Sequence, residues 1–158
     1  MSKFSLIAMG GTFDIIHHGH MTLLSTAFDI SEKVIIGLTS DEFVQKKGKN
    51  PIHKYDERLK NLTSIIFKKY PNSYFEISQL NNDFGPAVFE KEVQALVVSD
   101  ETKTQGNILN KLRIERNLSP VEIIVVPMTL AKDGKRISTT RIKNSEIDSD
   151  GNLLPIDK

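Results

Sequence analysis

A chain of 158 residues, 39% apolar and 26% charged, suits one soluble domain with a real buried core. Its formal net charge of +1 gives no electrostatic reason to expect nucleic acid or a membrane surface as the main partner. The absence of cysteine excludes disulfides, thiolate zinc sites and cysteine nucleophiles.

Residues 4–9 form an apolar run, the pattern of a strand covered on both faces. That strand follows the first methionine almost at once, so no signal peptide is expected and the cytoplasm is the default. No apolar run reaches about 18 residues, so no membrane-spanning helix is expected. Gly10 to His20 come next, reading Gly-Gly-Thr-Phe-Asp-Ile-Ile-His-His-Gly-His. Residues 21–30 then have helical periodicity, with Leu23, Leu24, Ala27 and Phe28 inward. Residues 33–38, rich in β-branched side chains, make a second strand and complete a right-handed β-α-β unit.

The polar stretch 39–54 ends in a basic loop with Lys46, Lys47 and Lys49. A helix is expected over 55–70, with Leu59, Leu62, Ile65 and Ile66 on one stripe. A third strand over 73–77 and a short helix over 84–93, started by Pro86, follow. Residues 95–98 are a fourth strand. The polar turn 99–102 sits at its carboxyl end, where α/β sheets bind ligands. A helix over 104–116 turns Ile108, Leu109 and Leu112 inward, and 121–126 is a fifth strand. Residues 131–136 are a charged loop, 139–147 a last helix capped by Ser138, and 149–158 a short tail. Strands joined by helical crossovers predict one α/β domain over 1–158, a Rossmann-like, doubly wound, five-stranded parallel sheet.

The chemistry gathers at the first glycine turn. A strand, a glycine turn and a helix N-terminus aim main-chain N–H groups and a positive dipole end at one spot, which suits a phosphate. Gly10 and Gly11 let the backbone come close to a ligand. His17 and His20, three residues apart, share one face of a first helical turn and can converge on one ligand. Thr12 is placed to donate to a phosphate or to bond locally in its turn. Gly19 either admits a nucleotide or makes room for packing. Asp14 reads as a turn residue, and His53 receives no role. Ser138, Thr139 and Thr140 read as helix caps and as a phosphate cradle, which are compatible. Arg141 pairs with a phosphate or with Glu146. Two histidines without a third thiolate make a poor zinc site, so no protein-held metal is expected.

His17-x-Gly19-His20 behind Gly11-Thr12-Phe13-Asp14 resembles the HxGH signature of the nucleotidyltransferase superfamily, and Ile137 to Arg141 resembles its second, Ile-Ser-Thr-Thr-Arg turn. Nucleotidyl transfer attacks the α-phosphorus of a nucleoside triphosphate with an ionised phosphate oxygen. It therefore needs positioning and charge neutralisation, with no covalent nucleophile. Within the superfamily the chain looks most like the archaeal and eukaryotic type of phosphopantetheine adenylyltransferase. The similar stretches are Gly10 to Asp14, Ile36 to Glu42, Tyr55 to Leu59, Val97 to Thr102 and Ile137 to Ile142.

That resemblance implies ATP and 4′-phosphopantetheine as substrates, dephospho-coenzyme A as product (coenzyme A being its close relative), and magnesium as cofactor with ATP. It implies that His17 and His20 contact ATP phosphates, that Gly10, Thr12 and Phe13 line the joint substrate site, and that Ser138 to Thr140 contact phosphates. Gly11, Gly19 and Arg141 join the nucleotide side. Lys47 is the best candidate in its loop to fold over the phosphates. Asp83, Phe84 and Gly85 fall where bacterial relatives hold the pantetheine arm. The bacterial Arg-Gly-Leu-Arg motif has no counterpart at Val98-Ser99-Asp100. Arg113 and Arg116, one helix later, are read as surface residues. The rivals are a glycerol 3-phosphate cytidylyltransferase, a flavin or nicotinamide mononucleotide adenylyltransferase, and a non-catalytic nucleotide sensor. Oligomeric state is not legible in the sequence.

Overall fold

The structure is a computed structural model that describes residues 3–88, 90–100, 102–127 and 142. The charged loop over 131–136, the Ser138 to Arg141 turn, the last helix and the tail lie outside the described residues.

Five parallel strands form one sheet in the order β3-β2-β1-β4-β5. They are β1 (Phe4–Gly11), β2 (Ser31–Thr39), β3 (Tyr74–Leu80), β4 (Ala95–Ser99) and β5 (Glu122–Val126). The chain starts in the middle, winds outward through β2 to β3, then crosses back to β4 and β5. This is the doubly wound arrangement expected from the sequence. Among the described residues the helices are α1 (His18–Ile30), α2 (Asp41–Lys46), α3 (Tyr55–Lys69) and α4 (Lys103–Glu115), with a 3-10 turn at Gly85–Val88. Among the described residues no helix is long and apolar enough to cross a membrane.

Alternation along β1 splits the core into two layers, because successive strand side chains point to opposite faces. Ile7 and Met9 pack with Leu24 and Ala27 of α1 and Leu62 and Ile66 of α3. Ala8 faces the other way, towards Val88, Leu96 and Leu109 of α4. Both faces are covered, which is why the central strands read as unbroken apolar runs.

Four expectations need correcting. The stretch after β2 contains α2, capped by Ser40, whose hydroxyl accepts the Phe43 N–H at 3.1 Å. The helix expected over 84–93 is reduced to the 3-10 turn, because the Ala87 and Glu90 carbonyls accept from Arg113 Nη1 at 2.6 and 2.9 Å. Those are oxygens a continuing helix would give to its own N–H groups. Ile108 is 52% exposed, because α4 turns Gly106, Leu109 and Arg113 inward instead. A Cβ at Gly106 would lie 2.6 Å from the Ile123 side chain, so the helix sits directly on β5. Finally, Arg113 is 1% exposed and not a surface arginine.

The site is positioned by a break in the sheet. β1 and β4 pair only at Ile7 with Ala95 and Ala8 with Leu96, then part. Each strand continues on its own side, β1 beside β2 as far as Gly11 and β4 beside β5 as far as Ser99. The gap lies where the winding reverses direction, at the strands' carboxyl ends. In open α/β sheets this switch point is where ligands bind.

Candidate active site

A cleft of about 260 Å³ fills that gap. Its floor is Met9, Gly10 and Gly11 on one side and Val97, Val98 and Ser99 on the other. Of the residues singled out from the sequence, Gly10, Gly11, Thr12, Phe13, His20, Lys47, Asp83 and Phe84 line it. His17, Gly19 and Gly85 are not part of its lining. Ser138, Thr139, Thr140 and Arg141 lie outside the described residues.

The HxGH segment is a self-contained cap. His17 is the N-cap of α1, and its Nδ1 accepts the Gly19 N–H at 3.1 Å. His20 reaches back, its Nδ1 accepting the His17 N–H at 3.2 Å. This is a capping box built from two imidazoles. Their rings stack with centroids 3.9 Å apart. Each Nδ1 is an acceptor, so the proton of each neutral ring sits on Nε2. Burial, then the neighbouring His17, hold the His20 pKa down at about 3 from an ordinary 6.5, while a hydrogen bond to the Ile15 main chain acts the other way. His20 is therefore a neutral ring at the cleft wall. A Cβ at Gly19 would stand 2.8 Å from the His17 ring, so this glycine makes room for the cap.

Phe13 is 1% exposed and has φ +50°, the left-handed region that a bulky residue rarely occupies. Its ring centroid lies 4.9 Å from that of His20. Such strain persists only where the surroundings over-determine it. They do so here. Arg58 Nη1 donates to the Thr12 carbonyl at 3.0 Å, just before Phe13. Asp14, just after it, accepts the N–H groups of Ile52 and His53 at 2.9 Å each. His53 Nδ1 lies 3.0 Å from the Asp14 carbonyl oxygen and 3.2 Å from its carboxylate, so that nitrogen carries a proton. Asp14 is thus an anchor for the loop, as a turn residue can be. His53, given no role from the sequence, is its partner.

The loop from Lys47 to His53 is fastened at both ends. Lys47 Nζ lies 2.7 Å from Asp83 Oδ1 and 4.7 Å from the Phe43 ring centroid. Lys49 also lines the cleft. The Asp83 to Gly85 segment is shaped by Asn82, whose Oδ1 accepts the Phe84 and Gly85 N–H groups at 3.2 and 2.7 Å. Gly85 turns there with φ +51°, a conformation glycine adopts without penalty. Across the gap, Ser99 and Thr102 put two hydroxyls 3.2 Å apart on the wall.

Arg58 is the residue the sequence reading missed. It is fully buried, and its guanidinium donates to the carbonyls of His53, Thr12 and Thr39 and to the Asp41 carboxylate at 2.8–3.1 Å. One side chain thereby ties the glycine turn, the end of β2, the start of α2 and the basic loop together. A signal was present: Arg58, Leu62 and Ile66 are spaced by four, on the buried stripe of α3.

The arrangement is a concave wall carrying hydroxyls, lysines and an imidazole, suited to a polyphosphate and a second anionic group side by side. Residues 8–145 match the cytidylyltransferase-like family, and the chain belongs to that family. It is similar to the phosphopantetheine adenylyltransferase of Methanothermobacter thermautotrophicus, at 40% identity over 96% of this chain and 91% of that one. It is similar to the enzyme of the same name from Methanopyrus kandleri, at 35% identity over 94% of each. Among solved structures it resembles a protein of unknown function from Archaeoglobus fulgidus, with a TM-score of 0.70 and 27% identity over 78% of this chain and 89% of that one.

Proposed function

We propose that this chain transfers the adenylyl group of ATP to 4′-phosphopantetheine, releasing pyrophosphate and giving dephospho-coenzyme A, in the cytoplasm. One observation carries the reading. Relatives named for this activity match this chain nearly end to end, and the glycine turn and His20 of its first motif line one cleft at the switch point.

In this reading an oxygen of the acceptor phosphate attacks the α-phosphorus. The bond from that phosphorus to the bridging oxygen of pyrophosphate breaks, and pyrophosphate leaves with the electron pair. The attacking phosphate is ionised near neutral pH, so no strong base is required. The chain's residues orient the two anions and offset their charge. His20 places a neutral imidazole against the phosphates, and His17 holds the His20 ring in place through the cap. Lys47 exchanges Asp83 for a phosphate oxygen. Ser138, Thr139, Thr140 and Arg141 complete the phosphate contacts, and Asp83, Phe84 and Gly85 form the acceptor side.

Among the described residues no group of three His, Asp or Glu side chains could hold a metal ion. A magnesium carried by the triphosphate would need few protein ligands, since that ion keeps its waters and binds phosphates, leaving the donors on the cleft wall for phosphate oxygens. Magnesium supplies charge neutralisation there.

The test is pyrophosphate release with magnesium, comparing ATP plus 4′-phosphopantetheine with CTP plus glycerol 3-phosphate. Release with the first pair alone is expected. Release with the second alone would keep the mechanism and overturn the substrates. ATP binding without release from either pair would favour another acceptor or a sensor.

A further inference from the structure

Resting on that reading, we infer that Thr39 and Arg58 are positioning residues that commit the Thr12 hydroxyl to donating a hydrogen bond into the cleft. Neither residue had been assigned a part in the chemistry.

A threonine hydroxyl has one proton and two acceptor sites, and its rotor follows its neighbours. An arginine has donors only. Arg58 Nη1 lies 3.3 Å from Thr39 Oγ1 and 2.8 Å from the Thr39 carbonyl. Its two protons face three acceptors, the third being the Thr12 carbonyl at 3.0 Å. At least one proton is therefore shared, and the Thr39 hydroxyl cannot point its own proton at the guanidinium. That proton goes to Thr12 Oγ1, 3.1 Å away. Thr12 Oγ1 is then an acceptor on its Thr39 side, and its own proton is directed elsewhere. Thr12 and Thr39 both line the cleft. The order of donation runs from Arg58 through Thr39 to Thr12 and out to the bound anion. Arg58 is fully buried and held on four other oxygens, so the first member of the series cannot rotate away.

The consequence is a site that offers a proton to an anionic oxygen before any substrate arrives, with no hydroxyl reorientation on binding. That is electrostatic preorganisation reached through a residue that touches neither reacting atom.

A double-mutant cycle tests it. Thr39→Val removes the hydroxyl and keeps the main-chain bond to Arg58. It should lower kcat/KM for 4′-phosphopantetheine by about fivefold to tenfold, the worth of one hydrogen bond. Thr39→Ser should restore wild-type values. In a Thr12→Val background, Thr39→Val should have no further effect. An equal loss in both backgrounds, or no loss in either, overturns the inference, since a packing role would act regardless of Thr12. If Thr39→Val does not fold, Thr39→Ala goes through the same cycle. Calorimetric Kd values for ATP and for 4′-phosphopantetheine accompany each variant. A wild-type chain that binds these compounds but releases no pyrophosphate would remove the adenylyl-transfer reading while the cycle is still read in Kd. A chain that binds neither removes both.

Discussion

Two buried arginines divide the molecule. Arg58 on α3 and Arg113 on α4 are 0% and 1% exposed, and both spend their guanidinium groups on main-chain carbonyls. Arg113 donates to Ala87, Glu90, Val93 and Ser119, all from one side of the sheet. Burial lowers its pKa below the ordinary arginine value. Arg58 differs in two ways. It has a carboxylate partner in Asp41, and two of the carbonyls it binds, those of Thr12 and Thr39, belong to residues of the cleft lining, which Arg113 reaches at Ala87 alone. One residue type in one kind of environment holds together a loop in the first case and a reaction site in the second. Burial of a charge therefore does not reveal a functional role. The identity of the segments it joins does.

The sharpest way to break this comparison is to replace each arginine by methionine. Arg58→Met should cost about 3 kcal/mol of stability, because several buried carbonyls lose their donor, and should lower kcat/KM about a hundredfold as the glycine turn loosens. Urea denaturation and pyrophosphate release measure the two effects. Arg113→Met should cost a similar amount, about 3 kcal/mol, yet leave kcat/KM of the folded protein within about twofold. A comparable activity loss in both would erase the distinction drawn here.

His20→Ala tests the Arg58 side from within the cleft. Turnover should fall by about tenfold or more, with circular dichroism unchanged. Full turnover in a folded variant would remove His20 from the chemistry. Its low pKa also gives that side an acid weakness. The unfolded chain takes up a proton below pH 6.5, and the folded chain does so only near about 3. Stability should be unaffected above that window and fall as pH drops through it, by at most about 1.4 kcal/mol per unit. His20→Gln should flatten that part of the pH profile. The smallest effect concerns the Lys47–Asp83 pair, whose side chains are 36% and 51% exposed. Asp83→Asn should change stability by less than about 1 kcal/mol, while tightening or loosening ATP binding according to whether Lys47 is freed or misplaced. An unchanged Kd for ATP would separate this pair from the nucleotide.

Much of this was legible in the sequence. Apolar runs marked β1, β2, β4 and β5, while the edge strand β3 alternates and runs on to Leu80, beyond the 73–77 expected. The spacing of His17 and His20 put both on one face of a first helical turn, where their rings stack, but the mutual cap they form was not read from it. Both arginines escaped, since helical periodicity assigns a charge to the solvent face. Only contacts with residues far away in the chain, such as Thr12 for Arg58 and Ala87 for Arg113, make their burial tolerable. The missing helix after β3 has the same origin, as its carbonyls were claimed by a side chain from α4. The roles of Asp14 and His53 depend on a loop closure spanning nearly forty residues, which no local rule detects.

The parting of β1 from β4 after two paired residues has a further consequence. A cleft floored by strand ends and glycines recognises its guest partly through peptide groups, which every residue carries alike. Point mutations other than those to proline cannot delete such contacts. Descendants of this chain can therefore exchange many wall side chains, and so trade one phosphorylated acceptor for another, while the ground plan that grips the nucleotide passes unaltered from one lineage to the next.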